Sequence, residues 1–214
     1  MELVELIDVS KAFKGAPVLS GVSLSIERGH CYGLVGPNGS GKSVLMQIMC
    51  GLILPDFGSV KIDPSLLTGD RTFPDKFGIS INGPAYLPGS SAIENLLDLA
   101  SIRKRATVLD CKAVLVSVGL DPDSAQRVRN FSLGMKQKLS LAQAFMEDPE
   151  VLLLDEPFNA LDENSVKRMT ELLREKLSAD VTIVMTSHHK DEIESLCDVH
   201  LSISNGLVRT SALE

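Results

Sequence analysis

One glycine-rich segment has the residue types and the spacing to bind a triphosphate. Gly36–Ser43 reads Gly-Pro-Asn-Gly-Ser-Gly-Lys-Ser and fits the phosphate-binding pattern G-x-x-x-x-G-K-[ST] at every fixed position. Its glycines let successive N–H groups face phosphate oxygens, and a helix that begins there adds the positive end of its dipole. Lys42 can reach the β- and γ-phosphates, and the hydroxyl of Ser43 can ligate Mg²⁺. The segment therefore predicts binding of a nucleoside triphosphate.

Two acids and a histidine follow apolar runs elsewhere in the chain. Asp155 and Glu156 come directly after Val151–Leu154, and His188 comes shortly after Val181–Met185. Continuous apolar runs of this kind are typical of strands buried on both faces. Because ligands gather at the carboxyl ends of strands in an open α/β sheet, we expect the three side chains to lie near the bound phosphates. Asp155 suits the Mg²⁺ shell, Glu156 suits deprotonation of an attacking water, and His188 suits a hydrogen bond to the γ-phosphate.

The elements that must position these residues alternate between strands and helices. Cys31–Val35 reads as a buried strand before the glycine segment, and Val44–Cys50 has apolar residues at helical spacing after it. Near the N-terminus, residues 3–9 and 24–26 predict two further strands, and Ser10–Gly15 predicts a loop between them. The pattern indicates an α/β fold with a mainly parallel sheet and added antiparallel strands near the N-terminus.

Residues 83–135 have a helical texture within this α/β chain. Ser91 and Glu94 have the spacing of a capping box at the start of one helix, and Leu109–Val118 predicts a second helix. Asp121-Pro122 could start a third, shorter helix. We therefore expect a helical subdomain inserted into a catalytic core lobe. The core lobe then consists of residues 1–82 and 136–214.

The segment Phe131–Lys138 precedes another predicted helix. Ser132 and the N–H groups from Gly134 onward could form a second, small anion site at the helix N-terminus. Taken alone, this segment would be an ordinary capped helix start.

Composition sets outer limits on function. The chain has 214 residues, of which 44% are hydrophobic and 23% charged, values that are ordinary for a soluble globular protein with one sizeable core. No apolar run approaches the roughly 20 residues of a membrane-spanning helix, and Met1–Glu5 does not resemble the start of a secretory signal. The net charge of −7 opposes nonspecific binding to nucleic acid. Four scattered cysteines indicate buried or neutral thiols in a reducing cytoplasm rather than a metal site.

Together these motifs resemble one family, the ATP-binding cassette (ABC) ATPases, with a P-loop NTPase (RecA-like) core. The resemblance covers essentially the whole chain. The matching segments are Gly36–Ser43 with the Walker A motif, Val151–Pro157 with the Walker B strand and catalytic Glu156, Phe131–Met135 with the signature sequence, Asn159–Asp162 with the D-loop, and His188 with the switch histidine.

The resemblance also assigns residues that spacing alone leaves open. Asn82 stands where the family's Q-loop glutamine usually lies, and Phe13 takes the place of the aromatic that stacks on adenine. From its position alone, Phe13 is better interpreted as capping the core than as stacking on a base. The implied catalytic residues are Glu156, His188 and Lys42, and the implied Mg²⁺ ligands are Ser43, Asp155 and Asn82. The implied ATP-binding residues are Phe13, Val18, Gly36, Asn38, Gly39, Ser40, Gly41, Lys42, Ser43, Val44, Asn82, Ser132 and Gly134.

The resemblance further implies how such a chain works. Two identical or related ATPase subunits pair head to tail, and each ATP lies between the Walker A segment of one subunit and Ser132 and Gly134 of the other. The helical subdomain and the loop at Asn82 couple this pairing to a separate transmembrane permease. The expected location is the cytoplasm, peripheral on the inner face of the cell membrane, with no nucleic-acid partner.

The chain departs from the usual family pattern in three places. Phe131, Leu133 and Met135 replace three of the five signature positions, and the result is similar to exporters of the bacitracin and lantibiotic-resistance type. Asn82 is one methylene shorter than glutamine, and Val44 replaces a hydroxyl residue, so we expect weaker nucleotide binding or slower turnover. The leading hypothesis is an exporter ATPase. The alternatives are a soluble ABC ATPase in translation or DNA repair and a regulatory subunit that hydrolyses ATP poorly.

Overall fold

The computed structural model describes residues 1–67, 73–83 and 85–211. In this part of the chain the backbone forms strands and α-helices that alternate over most of its length. In chain order they are β1 Glu2–Phe13, β2 Ala16–Glu27, β3 Cys31–Val35, α1 Lys42–Met49, β4 Phe57–Ile62, β5 Phe77–Ser80, α2 Ala92–Arg103, α3 Val108–Ser117, α4 Leu133–Phe145, β6 Val151–Leu154, α5 Glu163–Ser178, β7 Thr182–Thr186, α6 Lys190–Leu196, β8 Val199–Ser204 and β9 Leu207–Ser211.

The central sheet has six strands in the order β5-β6-β7-β3-β8-β9. Every neighbouring pair is parallel except β8 and β9, which form an antiparallel hairpin. The predicted mainly parallel sheet is therefore confirmed. β3 lies between β7 and β8, so the segment that follows β3 emerges at the middle of the sheet, with the end of β6 two strands away.

The central sheet is buried on both faces. Leu153 belongs to a core cluster with α1 and the N-terminal strands, whereas Leu152 and Leu154 belong to the cluster with α4 and α5. Successive side chains of a strand point to opposite faces, so β6 needs apolar residues at every position. Truncating one of these leucines to alanine costs about 2–5 kcal/mol of unfolding free energy. The four cysteines are also buried and free, as the sequence predicted.

A second, antiparallel sheet has the order β2-β1-β4. The predicted loop over Ser10–Gly15 is wrong, because β1 continues to Phe13 and β2 begins at Ala16. Only Lys14 and Gly15 form the turn, and their φ angles of 50° and 82° are both positive, as the tightest hairpin turns require. The polar residues near the end of β1 concealed the strand, since they lie at the exposed tip of the hairpin.

The region 83–135 is largely helical. The capping box of Ser91 and Glu94 is present at the start of α2. The predicted third helix at Asp121-Pro122 is wrong: the Asp121 carboxylate accepts a hydrogen bond from the N–H of Asp123, which closes a local turn instead. Only a short 3-10 turn follows before α4.

The division into a core lobe and a helical subdomain stays a prediction. Its boundary at 135/136 falls inside α4, and residues 84 and 212–214 lie outside the described part of the chain. Within the described residues, no helix has the length and apolarity that crossing a bilayer requires.

Candidate active site

The glycine segment lies between β3 and α1, as predicted, and its glycines are needed for space as well as conformation. A Cβ atom on Gly36 would come within 2.4 Å of the Ile203 carbonyl oxygen. Gly41 has a φ of 104°, and a Cβ there would lie 3.0 Å from Cγ1 of Val18. β2 and β8 thus press closely on the segment, which fixes the direction of its N–H groups.

Lys42 and Ser43 occupy the first turn of α1. The Lys42 side chain is only 8% exposed, and its Nζ donates hydrogen bonds of 2.7 and 3.1 Å to the carbonyl oxygens of Gly36 and Pro37. These bonds hold the ammonium group across the glycine segment. A triphosphate bound by the backbone N–H groups would meet this positive charge directly.

Asp155 sits at the centre of a hydrogen-bond network. The Ser43 hydroxyl donates to Oδ2 of Asp155 over 2.6 Å, and the Thr186 hydroxyl donates to Oδ1 over 2.7 Å. The Thr186 oxygen in turn accepts the N–H of Glu156 at 2.8 Å. One threonine at the end of β7 therefore fixes both acids that follow β6. Sequence reasoning did not select Thr186, although its position at a strand end beside the other candidates was a usable signal.

The donor set suits Mg²⁺. A carboxylate oxygen and a hydroxyl oxygen 2.6 Å apart are the kind of ligand that Mg²⁺ takes from a protein when phosphates and waters complete its shell. Among the described residues, no group of three or more His, Cys, Asp or Glu side chains could hold a metal alone. Ser43 and Asp155 therefore fit an ion that arrives with a triphosphate.

Glu156 is held in an unusual backbone conformation next to His188. Its φ is 52°, a left-handed value that a non-glycine residue rarely adopts and that costs on the order of 1–3 kcal/mol. Nε2 of His188 lies 3.1 Å from Oε1 of Glu156. Burial raises the pKa of the Glu156 carboxyl, and the nearby His188 partly opposes this shift. A carboxyl with a raised pKa that lines a cleft is better suited to accept a proton than an ordinary glutamate.

Gln137 supports the backbone of Glu156 from α4. Its buried side-chain amide donates hydrogen bonds of 3.1 Å to the carbonyl oxygens of Glu156 and Pro157. α4 therefore holds the turn that carries the candidate base.

These side chains surround a single cleft of about 350 Å³. Every residue that lines it belongs to the set predicted from the sequence. They are Val18, Asn38, Gly39, Gly41, Lys42, Ser43, Val44, Asp155, Glu156 and His188.

The other predicted site residues lie outside this lining. Phe13 is at the tip of the β1–β2 hairpin, with 44% of its surface exposed. Asn82 follows β5 with a φ of 62°. Gly36 and Ser40 belong to the glycine segment but form its inner side, where the Ser40 hydroxyl is buried without a hydrogen-bond partner among the described residues.

Ser132 and Gly134 begin α4. The Ser132 hydroxyl accepts the N–H of Met135 at 3.2 Å, which caps the helix and leaves its own O–H free to donate. A Cβ on Gly134 would lie 2.7 Å from the Ala160 carbonyl oxygen, so the helix start can approach that segment only with glycine at this position. This end of α4 is exposed, and the structure does not bring it into the cleft of the same chain.

Most of the chain matches one known protein family. The family model described as "ABC transporter" matches residues 19–159, which is most of the chain. The chain belongs to the ABC transporter family.

Curated ABC relatives agree with this assignment. An ABC transporter ATP-binding protein of Bacillus subtilis, YybJ, is 41% identical over 98% of this chain and 96% of its own length. The ergothioneine transport ATP-binding protein EgtV of Helicobacter pylori is 32% identical over 94% of this chain and 97% of its own length. The bacitracin transport ATP-binding protein BcrA of Enterococcus faecalis is 34% identical over 92% of this chain, but the match spans only 65% of BcrA.

Solved ABC structures share the fold. An ATP-binding subunit of an ABC transporter superposes with a TM-score of 0.86 at 26% identity, covering 99% of this chain and 90% of that one. A dimeric bacterial ABC transporter cassette has a TM-score of 0.87 at 24% identity, over 99% of both chains. The predicted ABC family, its α/β cassette fold and its function as an ATP-binding subunit of an ABC transporter are therefore confirmed.

Proposed function

We propose that this chain hydrolyses Mg²⁺-ATP in the cleft at the end of β3, β6 and β7 and so powers export through a separate permease. The observation that carries the proposal is the hydrogen-bond network that joins Ser43, Asp155 and Thr186 to the backbone of Glu156, with His188 beside the Glu156 carboxylate. It combines a metal-binding pair and a general base in one cleft.

The phosphate-binding half works by position and charge. The N–H groups of Gly36–Ser43 and the ammonium of Lys42 bind the β- and γ-phosphates. Ser43 and Asp155 would hold Mg²⁺, with Asn82 as a further ligand from the loop after β5, and an ion held there would supply positive charge to the phosphates. Val18 and Val44 line the cleft beside the nucleotide, and Phe13 stacks on the adenine.

The hydrolytic half depends on Glu156. Its carboxylate orients a water toward the γ-phosphate and accepts a proton from it, which its raised pKa favours. Nε2 of His188 lies 3.1 Å from Oε1 of Glu156, and this places the imidazole where it can donate to a γ-phosphate oxygen. Thr186 fixes the backbone from which Glu156 projects.

Each site is completed by a second subunit. Ser132 and Gly134 lie outside the cleft of their own chain, yet Ser132 keeps a free O–H at an exposed helix start. In a head-to-tail pair of identical or related chains, this helix start binds the γ-phosphate held by the other subunit. Solved cassettes with this fold include a dimer, which supports such pairing.

Coupling to the membrane involves the helical subdomain, residues 83–135, and the loop at Asn82. In this role the chain is peripheral on the inner face of the cell membrane. Export, rather than import, is supported by relatives: a Nod factor export ATP-binding protein of Bradyrhizobium diazoefficiens is 33% identical over 91% of this chain and 65% of its own length. The signature variant with Phe131, Leu133 and Met135 supports the same direction.

The test is the steady ATPase rate of the chain purified with its permease, compared with Glu156→Gln. Loss of a general base should lower the rate by about 100-fold or more, while ATP binding persists. Glu163→Gln is the matched control, because Glu163 is an 84% exposed glutamate at the start of α5. Glu156→Gln with an unchanged rate would contradict the proposed base, and a negligible rate in the unmodified complex would favour the regulatory alternative suggested by Asn82 and Val44.

Direction is tested in cells that carry the chain and its permease. Export predicts higher tolerance of a panel of peptide antibiotics that includes bacitracin, and Glu156→Gln should abolish that tolerance. Recovery of the chain with ribosomes or DNA instead of a membrane protein would favour the soluble alternative.

A further inference from the structure

The tip of the β1–β2 hairpin lies at the mouth of the nucleotide cleft. Phe13 pairs with Ala16, and between the pairs Lys11–Leu19 and Ala12–Pro17 the register shifts, so that Val18 is an extra residue on β2. Val18 lines the cleft and lies 3.0 Å from where a Cβ on Gly41 would sit. Phe13 is thus paired with a residue of β2 that lies only two positions before Val18, a residue that lines the cleft.

One face of the Phe13 ring is already occupied. Lys11 and Phe13 are two residues apart in β1 and share a face of the strand. Nζ of Lys11 lies over the ring, 5.5 Å from its centroid, and the Lys11 side chain is only 15% exposed. The ammonium therefore has a defined place against the ring rather than in solvent.

Asp56 fixes this arrangement from the segment before β4. Its Oδ1 accepts a hydrogen bond of 2.7 Å from Lys11 Nζ, and its Oδ2 accepts one of 2.8 Å from the N–H of Ala12. The N–H of Asp56 itself donates to the Ser10 carbonyl oxygen at 2.9 Å. These hydrogen bonds, above all the one from Lys11, lower the pKa of Asp56, so the carboxylate stays ionised near neutral pH.

We propose that Lys11 and Asp56 are positioning residues for the nucleotide base: Asp56 anchors Lys11, and the ammonium closes one face of the Phe13 ring so that the other face receives the purine. This inference rests on the proposed stacking role of Phe13. A cation on one face withdraws electron density from the ring and strengthens its stacking on an electron-rich base. The contact also restricts the ring before the nucleotide binds, which reduces the entropy lost on binding.

Lys11 and Asp56 should affect binding of the base and leave binding of the phosphates unchanged, so the two are measured separately. Asp56→Asn and Lys11→Met are made in the full chain, and the dissociation constants of Mg²⁺-ATP and of inorganic tripolyphosphate are measured by calorimetry. ATP affinity should fall by about three- to tenfold in both variants, since a cation–ring contact at a partly exposed site is of that order. Tripolyphosphate affinity should change by less than about twofold, because the contacts of Lys42 and the glycine segment are untouched.

A neighbouring ion pair provides the matched control. Lys61 and Glu5 also join β1 to β4, at 2.9 Å, but away from the hairpin tip. Lys61→Met should leave both affinities unchanged. If Lys61→Met and Asp56→Asn weaken ATP binding equally, the effect belongs to the sheet as a whole and the inference is wrong.

Phe13→Ala distinguishes failure of this inference from failure of the stacking role. Stacking predicts that Phe13→Ala alone weakens ATP binding by about tenfold without changing tripolyphosphate binding. Adding Asp56→Asn to Phe13→Ala should then have no further effect. An unchanged ATP affinity in Phe13→Ala refutes the stacking role. If Phe13→Ala lowers ATP affinity as expected but Asp56→Asn does not, the positioning role is refuted. It is also refuted if Asp56→Asn lowers ATP affinity further when Phe13 is already alanine.

Discussion

The two ends of the proposed ATP site differ in how much of their chemistry one chain completes. At the phosphate-binding end, Lys42 is nearly buried, and Ser43, Asp155 and Thr186 are joined by hydrogen bonds before any ligand arrives. At the signature end, Ser132 is exposed and makes one capping bond within its own helix. The first end is preorganised by the central sheet, whereas the second is an exposed helix start that lies outside the cleft of its own chain.

In the proposed mechanism, this difference locates the control of hydrolysis at the signature end. ATP can bind to one chain, because the groups proposed to contact the phosphates are already in place. Hydrolysis, which is proposed to need groups from α4 of another copy, can then be switched by bringing the copies together or apart. Variants at the two ends should therefore fail in different ways.

The largest effect after loss of Glu156 is expected from Thr186→Val, which keeps the side-chain shape but removes both hydrogen bonds of the hydroxyl. A lost hydrogen bond to a charged group costs about 1.5–3 kcal/mol. We therefore expect kcat to fall by about 10- to 100-fold with a smaller change in the dissociation constant of ATP. Thr186→Ser should restore most of the rate. Equal rates in Thr186→Val and the unmodified chain would show that the preorganisation of this end does not matter for turnover.

A smaller effect is expected at the signature end. Ser132→Ala should lower the ATPase rate of the paired protein by about tenfold while ATP binding to the separate chain is unaffected. It should also lower the unfolding free energy by about 1 kcal/mol, because α4 loses its N-cap.

Ser132→Asp separates the two consequences of Ser132→Ala. Aspartate restores the cap and suits the helix dipole, but its charge repels a triphosphate. The thermal unfolding midpoint should recover while the ATPase rate stays low. Recovery of both would mean that Ser132 matters only for the stability of the helix.

The smallest expected effect is a shift in pH dependence. Because the base must be ionised, activity should fall as pH decreases through the raised pKa of Glu156. His188→Gln removes a group that opposes this rise, so the acid limb of the kcat profile should move to higher pH. A limb that moves to lower pH would contradict the assignment of Glu156 as the titrating group.

The raised pKa of Glu156 also predicts how the free energy of unfolding depends on pH. Most carboxyls in folded proteins have a lowered pKa and stabilise more as pH rises, and Glu156 should do the opposite. Between the ordinary pKa of glutamate and the raised value, the folded chain binds more protons than the unfolded chain. The contribution of Glu156 to stability therefore decreases as pH increases through this window. Glu156→Gln should remove that pH dependence in urea unfolding.

The sequence predicted the parts of the structure that have local signals. The glycine segment, the apolar runs before Asp155 and His188 and the capping box of Ser91 each need only a few neighbouring residues to be recognised. The position of the cleft could also be predicted, because parallel strands place their carboxyl ends at the same edge of a sheet. The residues predicted to line it are those that lie at these ends or in the glycine segment.

The features that sequence reasoning missed depend on contacts between distant segments. Thr186 bonds to two acids some thirty positions away, and no local pattern marks it. The strand end at Lys11 and Phe13 was predicted as a loop, because its polar residues are paired with Asp56, which lies just before β4 and far away in sequence. At Asp121, a side-chain turn competed with the helix that the following proline suggested.

The amide of Gln137 ties the helix that begins at Ser132 to the main chain of Glu156 and Pro157. A ligand that displaces the N-terminus of α4 would therefore also displace the backbone of Glu156 in the same chain, because only about one and a half helical turns separate Ser132 from Gln137. In a head-to-tail pair, the nucleotide bound to one subunit would thus shift Glu156 of the other subunit. The two sites would then be coupled and would not hydrolyse ATP independently.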